Sequence, residues 1–183
     1  METTGSPRTR VVNFFAGPGA GKSTTAAGLF FFMKAAGYKC ELVTEYAKEL
    51  VYARDIDGLT DQKHVSKVQA HRQGILRGKV DYIITDSPLP LGLYYARYSR
   101  RETEGLGDLI WSEWQRYDNI NIFVNRVKPY VTYGRRGSED SAREVCKTLR
   151  AMLEELGIEY FDVDGDEAAP HYVLSYIKRM EAK

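Results

Sequence analysis

Short apolar runs alternate down the chain with longer stretches whose apolar residues recur every three or four positions. Residues 11–15, Val-Val-Asn-Phe-Phe, read as a strand buried on both faces. Helical spacing follows over 22–36, with Leu29, Phe30 and Met33 inward and Gly37 at the stop. A second strand at 40–44 leads into a helix over 45–54, and Asp55-Ile56-Asp57-Gly58 has turn chemistry. A polar helix is expected over 61–77, capped by Thr60, and then a strand at 80–85. Helices at 89–100 and 106–117 flank a charged turn, and a strand at 120–125 opens into a basic loop over 126–138. A helix over 139–156 closed by Gly157, a strand at 158–163, a turn at Asp164-Gly165-Asp166 and a helix over 171–180 complete the chain. Strands alternating with helices imply right-handed crossovers and an α/β fold, a parallel sheet covered on both faces. Ligands in such a sheet bind beyond the carboxyl ends of the strands.

The first strand ends in Ala16-Gly17-Pro18-Gly19-Ala20-Gly21-Lys22-Ser23-Thr24. Strand, glycine-rich turn, Lys-Ser and helix in that order are the layout of a phosphate-binding P-loop. The architecture expected is therefore a three-layer α/β/α P-loop NTPase fold with a five-stranded parallel sheet and a mobile lid. Gly17, Pro18, Gly19, Ala20, Gly21, Lys22, Ser23 and Thr24 are the nucleotide-binding candidates, with backbone N–H groups and the helix N-terminus surrounding phosphate oxygens. Lys22 would reach the β and γ phosphates of ATP, and the Ser23 hydroxyl would ligate Mg²⁺. The pattern's first glycine is replaced by Ala16, which a positive φ would strain.

Other candidates fall at strand ends. Asp86 follows the third strand, where it could hold Mg²⁺ with Ser23 or take a proton from an acceptor; the alternative is a helix cap. Glu45 ends the second strand as a candidate general base, or else as a carboxylate at a helix N-terminus. Which of the two acts as base is left open. Arg126, Arg135 and Arg136 lie on the loop after the fourth strand, where a lid could neutralise charge on a transferred phosphoryl group and exclude water. A solvated basic loop is the other reading. On the polar helix, Gln62, Gln69 and Arg72 could read an acceptor, with Gln73 nearby, although such helices commonly present a solvated face. Tyr94, Tyr95, Tyr98, Trp111 and Trp114 could stack on a base or pack the core. His64 and His71 have no third ligand in reach.

Composition adds bounds. The 183 residues suit one domain over 11–183, with 1–10 as a polar tail lacking the apolar core of a signal peptide. No run approaches the ~18 apolar residues of a membrane span. Two cysteines, Cys40 and Cys146, without metal-ligand spacing suit a reduced, cytoplasmic compartment. A net charge of +1 argues against a protein that coats nucleic acid and leaves a local basic patch open.

The loop, Thr44-Glu45-Tyr46-Ala47-Lys48, Asp61-Gln62, Thr85-Asp86-Ser87-Pro88 and Gly134-Arg135 together resemble the small P-loop kinases related to the ribosylnicotinamide kinase module, a group with many phage members. Within it the chain is most similar to the phage 5-hydroxymethyluracil DNA kinases. That resemblance implies ATP and Mg²⁺ as cofactors, DNA containing a modified pyrimidine as partner, and a kinase of DNA hypermodification in the host cytoplasm. The rivals are a kinase for a free nucleoside or nucleotide and an ATPase switch.

Overall fold

The computed structural model describes residues 8–98, 103–131 and 138–182. Five parallel strands, β1 (Arg10–Phe15), β2 (Cys40–Val43), β3 (Tyr82–Thr85), β4 (Asp118–Asn125) and β5 (Phe161–Asp164), form one sheet in the order β2-β3-β1-β4-β5. The chain moves outward from β1 to β2, returns through β3, and then crosses to β4 on the other side. This puts the topological switch at β1 and opens a crevice above its carboxyl end.

On one face α1 (Lys22–Ala35) and α8 (Ala169–Glu181) bury Leu29, Met33, Val173 and Ile177 against Val12 and Phe14. On the other face lie α4 (Gln62–Gly74), α5 (Leu91–Tyr98), α6 (Leu106–Trp114) and α7 (Glu139–Glu155). Their Ala70, Leu91, Ile110, Leu149 and Leu153 pack on Phe15 and Phe123. The period-2 alternation along β1 sends Val12 and Phe14 one way and Phe15 the other. Each fully buried Phe is worth about 1.5–3 kcal/mol of transfer free energy. The polar interruption, Asn13, is fully buried and donates to Asn119 Oδ1 at 3.0 Å and Asn121 Oδ1 at 3.1 Å, tying β1 to β4 through side chains as well as backbone.

Several boundaries differ from the sequence expectation. The stretch 1–10 is not all tail. Arg10 begins β1, and buried Thr9 donates from Oγ1 to Val80 O while accepting from Gly78 N. The turn at 55–58 becomes the short helix α3 (Ile56–Thr60), because the Asp55 side chain accepts from Gly58 N and caps it. Asp61, not Thr60, caps α4 by accepting from His64 N, and the helix stops at Gly74. The second helix, α2 (Tyr46–Ala53), ends at Arg54, the one non-glycine residue with positive φ among those described. Within the expected lid at 126–138 only 126–131 and 138 are described, so Arg135 and Arg136 lie outside the described residues.

The largest departure is α4. Its buried residues are Gln62, Ser66, Gln69, Ala70 and Gln73, a regular helical stripe made almost wholly of polar side chains. It is an interior face rather than a solvated one.

Candidate active site

The P-loop turns on two glycines in the left-handed region, Gly19 (φ 76°) and Gly21 (φ 110°). Ala16 is not among the positive-φ residues, so the missing glycine costs no backbone strain. Gly21 is the N-cap of α1 and offers no side chain to cap the helix, which leaves the first-turn N–H groups facing the crevice. Lys22 curls back, its Nζ donating to Ala16 O at 2.8 Å and Gly17 O at 3.4 Å. Burial pushes this ammonium below its usual pKa, opposed by the carboxylates of Glu45 and Asp86.

Two distant segments brace the loop. Gly17 N donates to Cys146 Sγ of α7 at 3.2 Å, and a Cβ at Gly17 would sit 2.6 Å from Ala142 O and 2.8 Å from that sulfur. Gly165, after β5, donates its N–H to Asn125 O at 2.9 Å, and a Cβ there would run into the Ala20 carbonyl oxygen. Both glycines are demanded by close approach. Gly165 lies in a strand-end turn that the sequence does display. Nothing in the sequence singles out Cys146.

Beside the loop, the Ser23 hydroxyl donates to Asp86 Oδ2, while the buried Oδ1 of Asp86 has no protein partner. These are hard oxygen donors, one of them orphaned, and they suit a Mg²⁺ ion that takes its other ligands from phosphates and water. Among the described residues no cluster of three or more His, Cys, Asp or Glu side chains stands ready for a metal. From the end of β4, Arg126 Nη2 donates to Pro18 O, its guanidinium lies 5.3 Å from the Tyr130 ring centre, and its buried Nε and Nη1 have no acceptor among the described residues. Arg126 is thus pinned to the loop with two donors to spare.

Glu45 lies just past β2, within electrostatic reach of Lys22. Burial raises its pKa above the usual carboxylate value; Lys22 and Lys48 pull it down and Asp86 pushes it up. It is the N-cap residue of α2 but makes no side-chain cap bond, so its carboxylate is free for other work. It borders a cavity of about 20 Å³ shared with Gln62, Gln69, Ser87, Leu89 and Tyr95. Burial and Glu45 together push the Tyr95 phenol well above its usual pKa.

The structure gathers Lys22, Ser23, Asp86, Arg126 and Glu45 around one crevice. Two of the acceptor candidates have partners within the protein. Gln69 spends its amide on the backbone, accepting from Tyr46 N at 3.1 Å and donating to Thr44 O at 3.3 Å. Arg72 pairs with Glu49 at 2.8 Å and lies 5.0 Å from the Tyr46 ring centre. Gln62 donates to Leu59 O at 2.8 Å and borders the cavity. Of the aromatics, Tyr94 and Trp114 are core and Tyr95 borders the cavity.

Residues 11–169 match the AAA domain family, and the chain belongs to it. No curated protein matches the chain. Solved structures of similar fold include the Mycobacterium tuberculosis APS kinase CysC as a cysteine-to-alanine mutant, at 16% identity and TM-score 0.50, covering 96% of this chain and 99% of that one. The same kinase in complex with AMPPNP and APS aligns at 15% identity and TM-score 0.50 over the same shares of both chains. At that identity the likeness is one of fold, a P-loop NTPase fold with a five-stranded parallel sheet.

Proposed function

We propose that this AAA domain protein is a kinase that moves the γ-phosphoryl group of ATP onto a primary hydroxyl, and that its acceptor is the hydroxymethyl group of 5-hydroxymethyluracil in DNA. The observation that carries the kinase reading is the placement of Glu45. A carboxylate with a raised pKa borders a hydroxyl-sized cavity within the field of the P-loop lysine. The DNA acceptor is supported by the sequence resemblance and would place the protein in the cytoplasm of an infected cell.

In this mechanism Lys22 exchanges its bonds to Ala16 O and Gly17 O for phosphate oxygens, and the spare Nε and Nη1 nitrogens of Arg126 donate to charge developing on the γ-phosphoryl. Ser23 and Asp86 would hold Mg²⁺, which supplies charge neutralisation of the phosphates. Glu45 accepts the proton of the acceptor hydroxyl as its oxygen bonds to the γ-phosphorus. The bond from that phosphorus to the β–γ bridging oxygen breaks, and ADP leaves. Asp86 is committed to Ser23, which favours Glu45 over Asp86 as base. Residues 126–138 would close as a lid, with Arg135 as a second cation. A target base would have to leave the stack or be presented single-stranded to enter the site, and DNA binding would weaken steeply with salt.

Labelled phosphate from γ-labelled ATP is expected in hydroxymethyluracil DNA and absent from matched thymine DNA. Label only in free hydroxymethyl nucleosides or nucleotides would replace the acceptor, and acceptor-independent hydrolysis would replace the kinase by a switch.

A further inference from the structure

Gln69 reaches across from α4 to the β2–α2 turn with an amide that is 3% exposed. Its two polar atoms bond the two peptide groups on either side of a single residue, Glu45. Nε2 donates to the carbonyl of the Thr44–Glu45 peptide at 3.3 Å, and Oε1 accepts from the N–H of the Glu45–Tyr46 peptide at 3.1 Å. The torsions between those two planes are the φ and ψ of Glu45, held at −65° and 120°. The Tyr46 N–H is one of the orphan donors at the start of α2. In many helices a cap side chain or water satisfies it, and here a neutral amide from a neighbouring helix does. A second tie fixes the same two helices, since Arg72 of α4 pairs with Glu49 of α2.

We infer that Gln69 is a positioning residue that sets the backbone of Glu45 and so aims its carboxylate at the cavity. The inference rests on the kinase reading of Glu45. Because both bonded groups are backbone, the clamp constrains direction without adding charge beside Glu45. The charged and titratable groups around that carboxylate are then Lys22 from α1, Asp86 after β3, Lys48 on α2 and Tyr95 on α5. Without the clamp the carboxylate gains rotational freedom and water, and its proton affinity falls back toward that of an ordinary carboxylate.

The test is Gln69→Met, which keeps size and helix propensity and deletes both bonds. With Mg·ATP and the accepted hydroxymethyl substrate, kcat should fall about tenfold to a hundredfold, the scale of a misaimed catalytic group. The acceptor KM and the ATP affinity should stay within about twofold of wild type, since the loop is untouched and both polar atoms of Gln69 are committed to backbone rather than to the cavity. The acidic limb of the kcat profile should move to lower pH. A rise in acceptor KM at unchanged kcat, with the limb unmoved, would overturn the inference and make Gln69 an acceptor-reading residue. Amide hydrogen exchange on the wild-type protein supplies a readout that does not require the variant to fold. The Tyr46 N–H should exchange slowly, and fast exchange there would refute the clamp. Loss of the kinase reading looks different: the wild-type protein transfers to no acceptor, or Glu45→Gln turns over at the wild-type rate.

Discussion

The two sides of the crevice are built from opposite materials. On the phosphate side, charged groups hold one another or the loop: Lys22 on Ala16 O and Gly17 O, Ser23 on Asp86, Arg126 on Pro18 O. On the acceptor side, neutral amides do the holding, with Gln69 on the Glu45 backbone and Gln62 on Leu59 O. A triphosphate is a polyanion and must be met by charge, and buried charge without a partner is costly. The loop therefore supplies its own carbonyls as partners. In the proposed kinase an acceptor hydroxyl is neutral and needs orientation more than field, and fixed amides would deliver that without adding charge beside Glu45. Field strength sits on one side and aim on the other.

The largest effects should come from removing field. Lys22→Ala should cost transfer at least about two orders of magnitude, and Asp86→Asn a comparable loss, both in single-turnover assays at saturating acceptor. A near-normal rate for either would break the contrast, because the charged side would then be dispensable.

Glu45→Gln should come next, with a loss of about two orders of magnitude or more and with the acidic limb of the pH–rate profile abolished. In the wild-type protein that limb should lie above the ordinary carboxylate value, since burial raises the Glu45 pKa. The sign for stability is opposite. A carboxyl whose pKa is higher folded than unfolded contributes stability that is complete below the unfolded value. That contribution is lost as pH rises through the folded one. Between the two values the protein gains active base and loses a little stability, which denaturant titrations across that window on wild type and Glu45→Gln would resolve.

Gly165→Ala tests the brace from β5. Its Cβ would press on Ala20 O and lie 2.9 Å from Asn125 O, and we expect about 1–3 kcal/mol of destabilisation with weaker nucleotide binding, read by thermal shift with and without ATP. The smallest effect is Cys146→Ala. One weak N–H···S bond to Gly17 is lost, worth about 0.5–1 kcal/mol, and kcat should be nearly unchanged.

The sequence made the phosphate side legible because its signals are local. Val11 to Thr24 carry strand, turn and helix start within fourteen consecutive positions, and Asp86 announces itself at the end of an apolar run. The sheet followed from the same alternation. The acceptor side was less legible. Gln62, Gln69 and Arg72 stood out as polar residues on one helix, but polarity alone does not distinguish a side chain waiting for a ligand from one already bonded inside. Only packing revealed that Gln69 serves the backbone of a residue 24 positions away and that Arg72 serves Glu49.

Local chemistry in the sequence thus determined the parallel α/β sheet, the phosphate loop and the strand-end carboxylates, since each depends on periodicity or on neighbours within a few residues. Tertiary structure alone decided that Ala16 is unstrained, that the glycines at 17 and 165 are packing requirements, and that a stripe of glutamines is interior. Those facts depend on atoms brought together from distant parts of the chain, where hydrogen bonding and excluded volume act with no trace in local pattern.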